Sequence, residues 1–534
     1  MYHSYTLLNT PLAKNSYNIP PDDSIKKLHF LRNQLPVRIT GYELLPCASI
    51  ICMSDKNHIY ITTTLPYVNA EPHVGFAMEI IRADALARYY RSQGKEVFFN
   101  TGTDEHGAKI HESAVKEGIG AQEYTDRYAA KFRELKDLLD LSVDHFIRTT
   151  DAHHVAAAQE FWKRCKANGD IYKKLYKVKY CIGCELEKTD SELVDGKCPL
   201  HPNRDLEIRE EENYFFKFSA YAKPLLELYK AQPDLVIPDF RFNETIAFVE
   251  RGLEDFSISR LKSKMPWGVA VPNDDDHVMY VWFDALVNYI STIGWPIDMD
   301  RFAKWWPVIQ YCGKDNNRQQ AAMWQAMLIS AKLPPSKHIV IDGFITSGGQ
   351  KMSKSLGNVI NPFDVIEAYK GVTDYPQDVL RFVLLHNIPS FEDGDLTMEG
   401  IKETYVTHLQ NGVGNLTSRI MKMATTHLTS PVATISYDTV TPIDKAFADF
   451  DIKRAIEAVM GAVRELDAYI QEKEPFKVVK VDEEAGQILI TEMVERLYHL
   501  GTLLLPFLPK TAAEIQRLVR EHKMPEKPLF NRLP

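Results

Sequence analysis

Cysteine is scarce: 534 residues carry seven, Cys47, Cys52, Cys165, Cys181, Cys184, Cys198 and Cys312. A sparse, odd-numbered set in a long chain argues against a secreted disulfide framework. No apolar run approaches the roughly 20 residues that a membrane-spanning helix needs. Ala48–Met53 is apolar but too short even for the core of a secretion signal. Nor is there a surplus of positive charge: 63 Lys and Arg stand against 72 Asp and Glu, a formal net charge of -9. Bulk charge therefore announces no nucleic-acid partner, although a local basic face can still serve one. No internal repeat is found. A reducing, cytoplasmic location is expected. What is present is a globular composition, 45% hydrophobic and 25% charged, in a chain long enough for roughly three to five domains.

Residues 1–53 show no clear periodicity, and Met53 precedes a hydrophilic step, Ser54–Asn57. The expectation is a start at Met53, with the leader either disordered or a mis-called start. From His58 the pattern is strand, loop, helix. His58–Thr64 is β-branched and apolar; Pro66 and Pro72 bracket a loop; helical spacing runs from His73 to about Gln93, and Gly94 ends it. Glu96–Asn100 reads as a second strand, so a βαβ unit and a parallel sheet are predicted. Helical patterns are read across 120–169. A cysteine-rich, turn-rich insert occupies 170–240. Strands are expected again at Met279–Trp282, Val308–Cys312 and Lys337–Asp342. Beyond about 396 only long amphipathic helices are read, as in a bundle.

Three motifs carry chemistry. Pro72-His73-Val74-Gly75-Phe76 sits at a helix start, where unpaired N–H groups and the positive end of the dipole suit a phosphate. His73 can donate to phosphate oxygens, and Gly75 lets a purine or ribose approach the backbone. By itself such a short motif is more often an ordinary loop. Lys351-Met352-Ser353-Lys354-Ser355 follows Gly348-Gly349; two lysines on a mobile loop can neutralise departing pyrophosphate, with the glycines as hinges. Cys181-x2-Cys184 and Cys198-x2-His201, thirteen residues apart, have the spacing of one tetrahedral Zn²⁺ site. With all four positions filled by protein, that site would be structural.

The first two motifs together resemble the signatures of class I aminoacyl-tRNA synthetases. Thr64-Leu65-Pro66-Tyr67-Val68-Asn69-Ala70-Glu71-Pro72-His73 and Thr101-Gly102-Thr103-Asp104-Glu105-His106-Gly107 resemble the methionyl branch in particular, over about 57–534. The resemblance implies an α/β fold: a split Rossmann-like parallel sheet, an inserted zinc-knuckle connective domain and an all-α C-terminal bundle. The parts would be 54–169 and 241–345 (the sheet's halves), 170–240 (the insert), 346–395 (the lysine loop and a stem-contact region) and 396–534 (the anticodon-binding helices). It implies ATP-dependent attachment of L-methionine to tRNA(Met) through an adenylate. His73, Lys351 and Lys354 would be catalytic, and ATP would also meet Gly75, Phe76, Met352, Ser353 and Ser355. The methionine slot would comprise Leu65, Tyr67, Asp104, Trp282, Ala285, Tyr289 and Gln320, with Asp104 on the α-ammonium; Arg260 matches an active-site arginine. Asn415, Arg419 and Phe476 would read the anticodon. Cys181, Cys184, Cys198 and His201 would hold Zn²⁺, and Mg²⁺ would accompany ATP. A monomer is expected.

Two departures stand out. Phe76 replaces the family's second signature histidine, and Gln319-Gln320 replace an aromatic residue and a histidine beside the methionine slot. Gln320 can still hydrogen-bond the phenol of Tyr67 or Tyr289. A divergent bacterial form of the same enzyme is the preferred reading. A sister synthetase for another apolar amino acid stays open, although the insert is short for an editing domain. So does a non-catalytic tRNA-binding paralogue.

Overall fold

The computed structural model describes residues 57–69, 71–184, 186–188, 193–352, 358–433 and 441–533. The leader 1–53, and Ser353, Lys354 and Ser355 of the lysine motif, lie outside the described residues. The centre is a six-stranded, all-parallel sheet. Its strands are β1 (His58–Thr63), β2 (Glu96–Thr103), β3 (His145–Arg148), β4 (Val236–Ile237), β5 (Val308–Gly313) and β6 (His338–Asp342), in the spatial order β3-β2-β1-β5-β6-β4. Tyr60 lies opposite Val308 and Thr63 opposite Tyr311, so β1 and β5 run side by side at the point where strand order reverses. Ligands of open α/β sheets bind in the crevice beyond the carboxyl ends at such a point.

Helix α1 (Val74–Ser92) crosses from β1 to β2 and ends where Gly94 turns with φ of +75°. Its face from Val74 to Leu86 is almost wholly buried, Glu79, Arg82 and Asp84 included. The charges are balanced internally. Arg82 donates to Asp342 Oδ1 at 3.0 Å and to the carbonyls of Ile388, Pro389 and Ser390. Asp84 pairs with Arg88 and with Arg381 of α2 (Pro376–Asn387).

Two local expectations change. The stretch 120–169 is not all helix: β3 interrupts it, a four-residue edge strand too short to show alternation. Met279–Trp282 is not a strand. A strand over Asp274–Met279 ends there, and Val281–Ala285 is helical; the apolar run is a buried junction, which periodicity does not resolve. Gly348 and Gly349, both at positive φ (+63° and +73°), form the tight turn of a hairpin pairing Ser347 with Gln350.

The insert is a β-arm. Ile171–Cys181 and Glu207–Phe216 pair antiparallel from Ile171–Phe216 to Tyr180–Glu207, flanked by Leu186–Lys188 and Phe256–Ser257. The chain is back in the central sheet at β4, inside the stretch 170–240. Beyond 396 every regular element among the described residues is a helix. In Ile452–Lys473 the buried residues Ile452, Ala455, Ile456, Val459, Val463, Leu466 and Ile470 recur every three to four positions and form one stripe. Asp451 caps its first turn, and Glu474 ends it at φ of +42° just before Pro475 starts the next helix.

Candidate active site and metal knuckle

One cleft opens over the carboxyl ends of β1, β5 and β6, with a volume of about 480 Å³. Leu65, Tyr67, His73, Gly75, Phe76, Asp104, Trp282, Ala285, Tyr289, Gln320 and Met352 all line it. The loop after β1 is built onto the end of β2: Asp104 N–H donates to the Pro66 carbonyl at 2.9 Å, and Val68 N–H to that of Asp104 at 3.2 Å. This pairing sets Leu65, Tyr67 and Asp104 on one wall. Trp282 and Ala285 come from the short helix after Asp274–Met279. That helix is tied to the Asp104 loop by a buried pair, His106 Nδ1 to Asp284 Oδ2 at 2.7 Å.

His73 caps α1. Its Nδ1 accepts the Gly75 N–H at 3.1 Å, which leaves Nε2 as the ring's donor position in the neutral form. A Cβ on Gly75 would lie 3.0 Å from the His73 ring, so glycine lets the cap close. Phe76 lines the cleft and stands edge-on to Phe132 at 5.3 Å; its side chain supplies an apolar ring and no hydrogen bond. The lysine segment arrives beside these residues from both ends. Met352 Cε lies 3.9 Å from where a Gly75 Cβ would stand, and Val74 N–H donates to the Ile360 carbonyl at 3.1 Å. Lys351 is placed by its backbone, opposite Thr346 in the hairpin.

Four functional candidates escaped the sequence reading. Glu79 accepts the Thr64 N–H at 2.7 Å on the cleft floor. Burial, and then the Asp342 carboxylate, hold its carboxyl well above the usual range. Burial also raises Asp342, to about 6, against the opposing pull of Arg82. Arg82 is the third. The fourth is Gln310, whose Nε2 donates to Gln320 Oε1 at 2.8 Å; Gln320 Nε2 in turn donates to the Tyr289 hydroxyl at 2.6 Å. Charges spaced along an apolar helix face, and a glutamine inside an apolar strand, were the available signals. Gln319 and Gln320 sit in a π-helical turn, Arg318–Met323, an irregularity frequent at functional sites. Arg260 does not line the cleft. It is buried in the strand Ser259–Leu261, bonded to Ser257 Oγ and stacked 4.3 Å from the Tyr280 ring.

At the arm's tip Cys181, Cys184, Cys198 and His201 gather with their ligand atoms within 4.8 Å of one another. Cys184 Sγ is 3.3 Å from Cys198 Sγ and 3.2 Å from His201 Nδ1; Cys181 and Cys198 Sγ are 3.8 and 3.9 Å from the same nitrogen. The edge of a tetrahedron around Zn²⁺ with thiolate ligands is about 3.8 Å, so the donor set and its size fit a metal. A Cβ on Gly183 would come 2.4 Å from the His201 ring, so only glycine admits the imidazole. Val194 and Lys197 exchange two backbone hydrogen bonds across Asp195-Gly196, both at positive φ, which reverses the chain between the two ligand pairs. Gly183 and Cys184 also line the cleft, so the knuckle is part of its wall.

In the helical part, Asn415 is exposed and Arg419 pairs with Asp467, both arginine and asparagine lying on Asn415–His427. Phe476, 38% exposed, is the second residue of the helix Pro475–Val481.

The family model of class I tRNA synthetases (M) matches residues 59–206 and 201–421. The methionine–tRNA ligase of Thermotoga maritima is 38% identical over 488 residues, 88% of this chain and 76% of its own. That of Mesorhizobium japonicum is 39% identical over 480 residues, covering 87% and 92%. The chain belongs to the methionyl-tRNA synthetase family. The solved methionyl-tRNA synthetase of Mycobacterium tuberculosis, in complex with methionyl-adenylate, superposes with a TM-score of 0.81 at 34% identity, covering 89% of this chain and 100% of that one. The synthetase described here therefore shares both the sheet and the arm-and-bundle plan expected from its sequence, and is a ligase that charges tRNA with methionine. Among the described residues no helix is long and apolar enough to cross a membrane.

Proposed function

We propose that the cleft over β1, β5 and β6 is where this methionine–tRNA ligase joins methionine to ATP as methionyl-adenylate, before the tRNA terminal hydroxyl takes the methionyl group. One observation carries the assignment: Met352 and Ile360, on either side of the lysine loop, meet Gly75 and Val74 at the same helix N-terminus, beside the His73 cap. In this reading the triphosphate lies between that terminus and the loop. The methionine carboxylate attacks the α-phosphorus, and the bond to pyrophosphate breaks. His73, donating from Nε2, and Lys351 and Lys354 stabilise the charge that builds on the phosphates; Gly75, Phe76, Met352, Ser353 and Ser355 shape the nucleotide's bed. Catalysis is positioning and electrostatics, with no side-chain nucleophile. Mg²⁺ enters with ATP as part of the substrate.

Asp104 holds the α-ammonium. Leu65, Tyr67, Trp282, Ala285, Tyr289 and Gln320 form the side-chain slot, where aromatic rings favour sulfur. Zn²⁺ in the knuckle, held by Cys181, Cys184, Cys198 and His201, supplies a rigid cleft wall. The helices of 396–534 read the anticodon of tRNA(Met), with Asn415 and Arg419 one helical turn apart and Phe476 offering a ring on which a base stacks. The enzyme acts as a cytoplasmic monomer. The test is ATP–pyrophosphate exchange with each of the twenty amino acids. Exchange with methionine alone is expected; exchange with another apolar amino acid selects a sister specificity, and none selects a tRNA-binding paralogue.

A further inference from the structure

Strands covered on both faces of a parallel sheet read as continuous apolar runs. In β5, Val308, Ile309, Tyr311 and Cys312 obey that rule, and Gln310 between them does not. Gln310, Gln320, Gln325 and Ser336 are each 1% exposed or less, and they form one chain of hydrogen bonds. Gln325 Nε2 donates to Ser336 Oγ at 3.1 Å and to the Gln320 carbonyl at 2.9 Å, while its Oε1 accepts the Ser336 N–H at 3.1 Å. Ser336 Oγ donates to Gln310 Oε1. Gln310 then donates to Gln320, and Gln320 to the Tyr289 phenol. No buried nitrogen or oxygen of these four side chains lacks a partner, whereas Oε1 of the adjacent Gln319 does. An amide oxygen cannot donate, so each link fixes the direction of the next. The phenolic oxygen ends as an acceptor, with its own proton left for the cleft that Tyr289 lines.

We propose that Gln310, Ser336 and Gln325 are positioning residues for amino-acid selection. They hold the Gln320 amide nitrogen toward Tyr289, so that the phenolic proton faces the side-chain slot and favours a thioether over a methylene of the same shape. A thioether sulfur accepts a weak hydrogen bond and a methylene accepts none. The inference rests on the reading that this cleft activates methionine.

The test compares ATP–pyrophosphate exchange with methionine and with norleucine, in the full chain and in Gln310→Met, which keeps the volume but cannot donate to Gln320. The kcat/KM ratio of methionine to norleucine is expected to fall by about fivefold, the size of one lost neutral hydrogen bond, with KM for ATP unchanged. Tyr289→Phe should give a similar fall, and adding Gln310→Met to it no further one. Ser336→Ala, a smaller change further along the relay, should shift the ratio in the same direction and serves if Gln310→Met does not fold. A parallel loss for both amino acids, an unchanged ratio, or additive losses with Tyr289→Phe would overturn the inference. A wild-type chain that activates no methionine overturns the underlying reading and this inference with it; normal methionine activation with an unaltered variant ratio overturns the inference alone.

Discussion

The metal knuckle and the cleft share a wall but are assembled in opposite ways. The knuckle draws four donors from 21 consecutive positions, Cys181 to His201, and a glycine-bearing turn between the pairs brings them together. The cleft draws its lining from Thr64 to Met352, brought together by a parallel sheet and by buried charges that neutralise one another across it. A local site needs only turn chemistry and a ligand; a non-local one needs the whole sheet to be in register. The two regions should therefore fail separately.

The largest separation is expected on metal removal. Binding at structural zinc sites is worth on the order of 10 kcal/mol of local folding energy, while none of the four donors lies in the six-stranded sheet. Chelation, or Cys184→Ser, should reduce metal content from about one per chain to none. Hydrogen-exchange protection should be lost at the described residues of 181–201 and kept in β1, β2 and β5. Simultaneous loss of protection in the sheet would break the comparison. The converse is Arg82→Met. Removing this guanidinium leaves Asp342 and three carbonyls without their buried donor, at a cost of about 3–5 kcal/mol. The denaturant midpoint should fall while metal stoichiometry stays constant.

Next in size is Lys354→Ala, which should slow exchange by about 10²–10³-fold and leave tRNA binding nearly unaltered. Equal losses in both would count against the role given to the loop. The smallest effect is electrostatic. Asp342 has its folded-state pKa raised to about 6 by burial, above the ordinary carboxylate value of about 3.9. Such a group binds its proton more tightly when folded. Its stabilising contribution is complete below about pH 4 and is lost as pH climbs through 6, at most about 3 kcal/mol. Asp378 behaves alike, so a variant is needed to isolate one of them. Asp342→Asn, whose amide oxygen still accepts from Arg82, should leave stability near pH 4 almost unchanged and flatten the decline between about pH 4 and 6 in thermal melts. Parallel melts for the two proteins would refute the assignment to Asp342.

This contrast also explains what the sequence made legible. The knuckle could be read from spacing because all its geometry is local. The strands β1, β2, β5 and β6 could be read because each is a short β-branched or aromatic run, and α1 because Gly94 ends a helical period. β3 and β4 are too short to carry a pattern, and their strand character comes from the neighbours they pair with. At 279–282 an apolar run fitted strand and helix equally. The lining of the cleft became visible only through resemblance to a family, because nothing in spacing joins residue 104 to residue 282. Glu79, Arg82 and Gln310 were missed for a related reason. A charged or amide side chain on a buried face becomes intelligible only when its partner is known: Asp342 stands 260 positions from Arg82, and Gln320, ten positions from Gln310, is turned toward it by an irregular helical turn that spacing does not show.

The choice of histidine as the cap of α1 has a further consequence. An aspartate or serine in that place keeps its acceptor oxygen over the whole range in which proteins fold. An imidazole does not: once the second ring nitrogen takes up a proton, it has nothing to offer the Gly75 amide. The cap therefore commits the ring to one tautomer: the nitrogen that steadies the opening turn of the helix settles which nitrogen is left to donate.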